Sequence, residues 1–365
     1  MNITFTIKSL SVRRGGAERV LSILSSELVK MGHKISIITF DSPNDKFVYE
    51  FNENITFYKI GNEFRSPNLK TSLFDFFHRA INLRKVLKKV NPDIVVGFMS
   101  SSFTLLPIAL FLTNIKFVCS EHIVPEYYKD RKLEFFLVLL SSFFAVKFIV
   151  ISEEIKILFP RIVQRKIKSI TNPVYLPNIK CKNELPEKVI LSVGRLAPQK
   201  DHETLIRAFR IFIDEHPGWL LKIIGDGELR SHISKLIAEL KLEKFVLLED
   251  EKVNIQCEYK TCSFLVNSAK FESFGMVTVE GMFYGKPTIG FVDCPGTNEV
   301  IKNEINGVLV DNPNRVHGLY SAMSNLVNDY QLYEKLSKNC IEASKEFSKE
   351  AVAYQWESLL HKALK

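Results

Sequence analysis

Two cations five residues apart, Arg195 and Lys200 in "VGRLAPQKD" (193–201), are the residues whose types and spacing most directly suggest chemistry. They lie on the loop between a strand end at Gly194 and Asp201, which reads as a helix N-cap. A loop of this kind lets both cations converge on one point, and a pair of cations beside a helix start suits a diphosphate. Further along, "FESFGMVTVE" (271–280) sets Glu272 in a loop among aromatics and glycine. Gly275 then opens a helix whose interior holds Glu280, a candidate partner for ribose hydroxyls. Ser273, Phe274 and Gly275 belong to the same loop, and "IIGDGELR" (223–230) adds a strand end with Asp226 between two glycines. In the first half, "VRRGGAERV" (12–20) leads from a strand into a helix, and Gly15 and Gly16 allow the backbone to approach a ligand closely. "CSEHIVPE" (119–126) ends another strand and points Glu121 and His122 toward a shared cleft. Each of these features, taken alone, is also compatible with an ordinary turn or a solvated charge.

The elements that must position these loops alternate along the chain. "ITFTIKSL", "KISIITF", "DIVVGFM", "KFVCSE" and "KFIVIS" read as strands, separated by helical patterns at 17–31, 73–90, 102–113 and 130–144. In the second half "KVILSVGRL", "LLKIIGDG", "FVLLED", "SFLVNSA", "PTIGFV" and "GVLV" are strands, with helices at 201–215, 228–240, 254–261, 277–285 and 315–345. Such alternation predicts parallel sheets covered by helices on both faces. With 365 residues, two doubly wound α/β domains are expected. The proline-bearing stretch 171–188 reads as the linker, and helix within 345–365, including Trp356, can return to either domain. Ligands of open α/β sheets bind at the carboxyl ends of the strands, so the expected site is a cleft between the domains.

Charge is uneven. Residues 1–172 carry 25 Lys/Arg against 15 Asp/Glu, and the remainder 24 against 26, so the whole excess of the +8 chain lies in the first half. That points to an anionic partner. No nucleic-acid motif is visible, whereas "KTSLFDFFHRAINLRKVLKK" (70–89) has the pattern of an amphipathic helix for an anionic membrane surface. "FFLVLLSSFFAV" (135–146) is too short to span a bilayer and reads as a buried helix. The first residues lack the pattern of a signal peptide. The six cysteines show no CxxC pair and no metal-ligand spacing, and read as reduced, mostly buried thiols of a cytosolic protein.

In order, "GGAER" (15–19), "SEH" (120–122), "VGRLAPQKD", "IIGDG" (223–227), "FESFG…E", "GKPTI" (285–289) and "NGVLV" (306–310) make the chain resemble the family 4 retaining glycosyltransferases of the GT-B fold. Within that family it looks like bacterial enzymes that extend lipid-linked capsule, O-antigen or glycoprotein oligosaccharides. The resemblance implies two Rossmann-like domains facing each other across a cleft. Residues 1–172 would bind the acceptor and 173–346 the nucleotide-sugar donor, with a helix at about 347–365 packing back on the first domain. It implies that Arg195 and Lys200 hold the donor diphosphate with Gly194 and Asp226 beside them, and that Gly15 and Gly16 lend backbone to the same phosphates. Glu272 would contact the transferred sugar, Ser273, Phe274 and Gly275 the sugar-phosphate, Glu280 the ribose, and His122 the sugar from the first domain. The activity implied is that of a hexosyltransferase using a nucleotide sugar, UDP-linked rather than GDP-linked. The acceptor is lipid-linked or saccharide, and the cation-clamped diphosphate needs no cofactor and no metal. The place implied is cytoplasmic, peripheral on the inner face of the plasma membrane. An alternative on the same architecture is a nucleotide-sugar isomerase, which would consume no acceptor. Ser273 departs from the glycine usual in the family, and "LLEDEKVN" (247–254) lacks the Phe-Leu-Gly often found there.

Overall fold

The computed structural model describes the chain except residues 12–15, 62–68, 177–180, 182–187 and 253–254, and the side chains of 69–73. The chain divides into two compact units, Met1–Pro173 with Ser348–Lys365, and Val174–Phe347.

The first unit runs β1 (Asn2–Ile7), α1 (Gly16–Lys30), β2 (Lys34–Thr39), β3 (Thr56–Lys59), α2 (Leu69–Val90), β4 (Ile94–Phe98), α3 (Ser100–Phe103) and α4 (Leu106–Ala109). It continues through β5 (Lys116–Ser120), α5 (Lys132–Phe144), β6 (Lys147–Val150), α6 (Glu153–Leu158), α7 (Arg161–Gln164) and β7 (Ile167–Ser169). The seven strands lie in the order β3-β2-β1-β4-β5-β6-β7, each pair parallel. Central β1 and β4 are buried on both sides, which is why they read as nearly continuous apolar runs. The short edge strands β3 and β7 escaped the sequence reading because "TFYK" and "IKS" are too short and polar to stand out.

The second unit runs β8 (Val189–Val193), α8 (His202–Glu215), β9 (Leu220–Ile224), α9 (Arg230–Glu239), β10 (Val246–Glu249), α10 (Gln256–Thr261) and β11 (Phe264–Val266). Then come α11 (Met276–Met282), β12 (Thr288–Phe291), α12 (Thr297–Val300), β13 (Gly307–Val310), α13 (Arg315–Asn328) and α14 (Tyr330–Ser344). Its parallel sheet has the order β10-β9-β8-β11-β12-β13. Strand period sets the faces: Ile190 packs toward α8 and α9, whereas Val189 and Leu191 pack with Tyr259 and Cys262 of the α10 side. A last helix, α15 (Lys349–Leu364), returns to the first unit, where Val352, Trp356 and Leu360 join α1 and the strands in one core.

Three expectations change. Helix α5 is not buried: Leu133, Phe136, Phe143 and Phe144 are each more than half exposed, because its apolar residues exceed what one buried stripe can cover. Phe74, Phe77 and Ile81 of α2 are likewise exposed, and Arg84 ties α2 to the end of α4 and the chain after it by donating to the carbonyls of Ala109 and Phe111 (3.0 and 2.6 Å). The cysteines are not all free, since Cys181 and Cys257 are joined in a disulfide within the second unit, while Cys119, Cys262, Cys294 and Cys340 are buried thiols. Asp201 stands at the N-cap position of α8 but with left-handed backbone (φ 49°) and no side-chain capping bond; its carboxylate faces Lys270 and Arg315 at 3.5 and 3.8 Å. Among the described residues no helix is long and apolar enough to cross a membrane.

Candidate active site

In the second unit the strand order reverses direction at β8, whose neighbours are β9 and β11, the place where doubly wound sheets bind ligands. The loops leaving these strands are laced together. Leu196 N–H donates to Asp226 O (2.9 Å), Lys270 N–H to Gln199 O (2.9 Å), and Ser268 Oγ to Lys200 O (2.8 Å). Gly225 lies so close to the β8 loop that a Cβ there would meet Gly194 O at 2.0 Å, so only glycine permits this contact.

Within this frame Lys200 Nζ forms an ion pair with Glu272. The two are 72 residues apart in the chain, and their side chains are only 15% and 16% exposed. The stem of Lys200 runs over Gly194, where a Cβ would meet Lys200 Cε at 3.3 Å. Arg195 is exposed and forms no ion pair among the described residues. Asp226 is exposed too, its Oδ1 accepting from Gly227 N–H at 2.8 Å.

The 272–275 loop rests on a second glycine. Gly296 (φ +78°) sits where a Cβ would meet Glu272 O at 2.7 Å and Phe274 N at 2.8 Å. Ser273 is half-buried, and Phe274 is buried with its ring edge-on to Phe347 at 5.8 Å. Gly275 occupies the N-cap of α11 in the left-handed region (φ 67°), and Glu280 lies inside that helix. Glu280 is 4% exposed and accepts from Tyr259 Oη at 2.7 Å. Tyr259, Ser268 and Gly296 were not singled out in the sequence, and neither was Arg315. Its guanidinium sits 3.4 Å from the Phe291 ring centroid, bonds both Asp293 oxygens (2.7 and 2.9 Å) and reaches the carbonyls of Ser268 and Ala269. None carries a local signal, because each acts through a partner distant in sequence.

In the first unit Gly16 is the exposed first residue of α1, and Gly15 lies outside the described residues. The chain before it is held by Asp41, whose carboxylate accepts from Leu10 N–H (2.8 Å), Ser11 Oγ (2.8 Å) and Ser9 Oγ. His122 follows β5, stacks on Phe98 (centroids 4.8 Å) and meets Ser120 Oγ through Nε2 at 3.0 Å. Burial lowers it to about 4, so it is a neutral imidazole near neutral pH. Glu121 does not face outward as expected. It is fully buried, its carboxylate accepting from His122 N–H, Ile123 N–H and Tyr128 Oη (2.9, 3.1 and 2.7 Å), and burial raises it to about 7. It shapes the turn that carries His122.

Two doubly wound parallel sheets with their loops gathered at the strand ends define the GT-B class of fold. The chain belongs to the GT-B glycosyltransferases: residues 14–176 match the family Glycosyltransferase Family 4, and residues 178–346 the family Glycosyl transferases group 1. It is 26% identical over 353 residues to an uncharacterized glycosyltransferase of Haemophilus influenzae, covering 95% of this chain and 96% of the relative. It is 25% identical over 372 residues to the Campylobacter jejuni GalNAc-alpha-(1->4)-GalNAc-alpha-(1->3)-diNAcBac-PP-undecaprenol alpha-1,4-N-acetyl-D-galactosaminyltransferase, covering 99% and 98%. Among solved structures the fold is similar to sucrose-phosphate synthase of Thermosynechococcus elongatus (TM-score 0.82, 19% identity, 99% and 98% covered). It is also similar to Anabaena HepE in complex with UDP and glucose (TM-score 0.76, 20% identity, 99% and 100% covered).

Proposed function

We propose that this glycosyltransferase moves a hexose or N-acetylhexosamine from a UDP-sugar, with retention, to a lipid-linked saccharide acceptor in the synthesis of a bacterial surface glycan. The observation that carries the reading is the Lys200–Glu272 ion pair at the ends of β8 and β11. A cation and a carboxylate that neutralise each other at a strand-end site can both be released to a ligand bearing a diphosphate and hydroxyls. Lys200 passes to the diphosphate, and Glu272 is freed to accept from the hydroxyls of the transferred sugar. Arg195 supplies the second cation, Gly194, Asp226 and Gly16 the surrounding backbone, and Glu280, fixed by Tyr259, takes the ribose. Residues 273–275 line the sugar-phosphate. His122, neutral and uncharged toward a developing cation, serves the transferred sugar.

The bond from the anomeric carbon to the diphosphate oxygen breaks, the acceptor oxygen bonds to the same face through an oxocarbenium-like state, and the proton of the acceptor hydroxyl passes to the departing diphosphate oxygen. The charge that gathers on the leaving diphosphate is stabilised by Arg195 and Lys200. No metal is needed, and EDTA is expected to leave turnover unchanged. The name of the Campylobacter relative motivates the undecaprenol-linked acceptor class. An anionic membrane surface is the proposed docking partner of the first unit. Exposed Phe74, Phe77 and Ile81 of α2 and Phe136 and Phe143 of α5 are the apolar groups, and Lys85, Lys88 and Lys89 the cations. The enzyme acts, on this reading, as a peripheral protein at the cytoplasmic face.

The test is incubation with UDP-GalNAc, UDP-GlcNAc, UDP-Gal and UDP-Glc, each with and without an undecaprenyl-diphosphate saccharide. Sugar transfer that depends on acceptor, with EDTA present, supports the reading. An epimerised UDP-sugar formed without acceptor would support the isomerase instead. Equal flotation with neutral and anionic vesicles would reject the electrostatic part of membrane docking.

A further inference from the structure

Away from the loops described above, three metal-ligating side chains of the first unit converge. His33 lies in the turn between α1 and β2, while Glu357 and His361 stand four residues apart on α15 and so share one helical face. His33 Nε2 is 2.8 Å from Glu357 Oε1, and the rings of His33 and His361 are 6.1 Å apart between centroids, edge to face. One ligand atom of each residue lies within 4.8 Å of the others. No sequence spacing announces this group, since His33 and Glu357 are 324 residues apart.

The chemistry of the set is selective. Two imidazoles and one carboxylate are borderline nitrogen and oxygen donors that suit Zn²⁺ and, in substitution, Co²⁺ or Ni²⁺. Mg²⁺ and Ca²⁺ prefer oxygen donors throughout. His33 is 9% exposed, Glu357 is half-buried and His361 is exposed, so the cluster is closed on the core side and open to a water ligand on the other. His33 Nδ1 faces the Met1 nitrogen at 3.3 Å, which leaves Nε2 as the ring nitrogen turned toward the other two ligands.

We infer that His33, Glu357 and His361 form a site for a single Zn²⁺-type cation, outside the transfer site. The cation takes the place of the proton shared between His33 Nε2 and Glu357; the ring proton passes to Nδ1, and the Met1 nitrogen facing Nδ1 gives up a proton to water so that it can accept from Nδ1–H. Its effect is to pin α15 to the α1–β2 turn. That helix also carries Trp356, stacked on Phe98 at 6.1 Å, and Phe98 in turn carries His122. A metal clamp on α15 therefore stiffens the packing beneath His122 without touching it.

The test uses the full-length protein, stripped with chelator and dialysed against Zn²⁺ or Co²⁺, beside the variants His361→Ala and Glu357→Gln. The wild type is expected to retain one more equivalent of metal than either variant, to show Co²⁺ ligand-field bands, and to melt at higher temperature with Zn²⁺ than without. Loss of a direct ligand should weaken binding at least as much as the about 10- to 100-fold reported for loss of an outer partner. Because His361 is exposed, its removal should leave the melting temperature of the metal-free protein unchanged. Metal retention that is the same in all three proteins overturns the inference. So does a thiolate-to-cobalt charge-transfer band, which assigns the ion to cysteine.

Discussion

Replacing Lys200 by alanine separates what the Lys200–Glu272 pair does for the fold from what it does for the reaction. With both side chains about five-sixths buried, the variant strands a carboxylate in a site of low polarity. Breaking a buried pair by removing one partner costs about 3–5 kcal/mol, and the residual exposure puts this case near the lower end, about 3 kcal/mol. At about 2–4 °C per kcal/mol for a unit of this size, the second unit should melt about 6–12 °C lower. The double variant Lys200→Ala/Glu272→Gln removes the stranded charge and should recover to within about 1 kcal/mol of the wild type. Turnover should behave differently, falling at least about 100-fold in both, because the cation that stabilises the leaving diphosphate is gone in each. Urea unfolding of the free proteins and nucleotide release under saturating acceptor read the two effects separately. A double variant no more stable than Lys200→Ala would refute the pairing, and wild-type turnover in folded Lys200→Ala would refute the role at the diphosphate.

The remaining expectations follow from single contacts. Burial raises Glu121 from 4.5 to about 7, so between those values the folded state keeps a proton the unfolded state has lost, and stability falls as pH rises. Burial lowers His122 from 6.5 to about 4, so over that window stability rises with pH. The two oppose each other in the wild type; Glu121→Gln should unmask the rise and His122→Ala the fall, and urea midpoints with slopes of the same sign in both variants would refute this. Gly296→Ala places a Cβ 2.7 Å from Glu272 O at φ +78°, which should cost about 1–3 kcal/mol and shrink the thermal shift given by UDP; an unchanged shift speaks against Gly296 supporting the donor loop. Tyr259→Phe removes a hydrogen bond to a buried carboxylate, about 1.5–3 kcal/mol, and should raise the KM for the donor more than it lowers kcat; a fall in kcat alone would contradict the ribose role of Glu280. Phe136→Ser with Phe143→Ser should cut flotation with anionic vesicles while leaving the melting temperature within about 2–4 °C, since both rings are exposed; undiminished flotation would move the docking surface elsewhere.

The sequence by itself determined the architecture. Buried strands of parallel sheets must be apolar on both faces, and crossover helices must follow them, so short apolar runs alternating with helical patterns leave little choice but doubly wound sheets. It also marked the loops at strand ends, because glycine at Gly225 and Gly275 is required by close approach or left-handed backbone, and such needs show in residue type. It did not determine whom those loops meet. The pairing of Lys200 with Glu272, of Glu280 with Tyr259, of Cys181 with Cys257 and of His33 with Glu357 joins residues 72, 21, 76 and 324 positions apart. Nothing in a local window distinguishes these residues from solvated ones. The same limit explains α5: an apolar helix is buried or exposed according to what its neighbours cover, and only the tertiary structure left Phe136 and Phe143 facing outward.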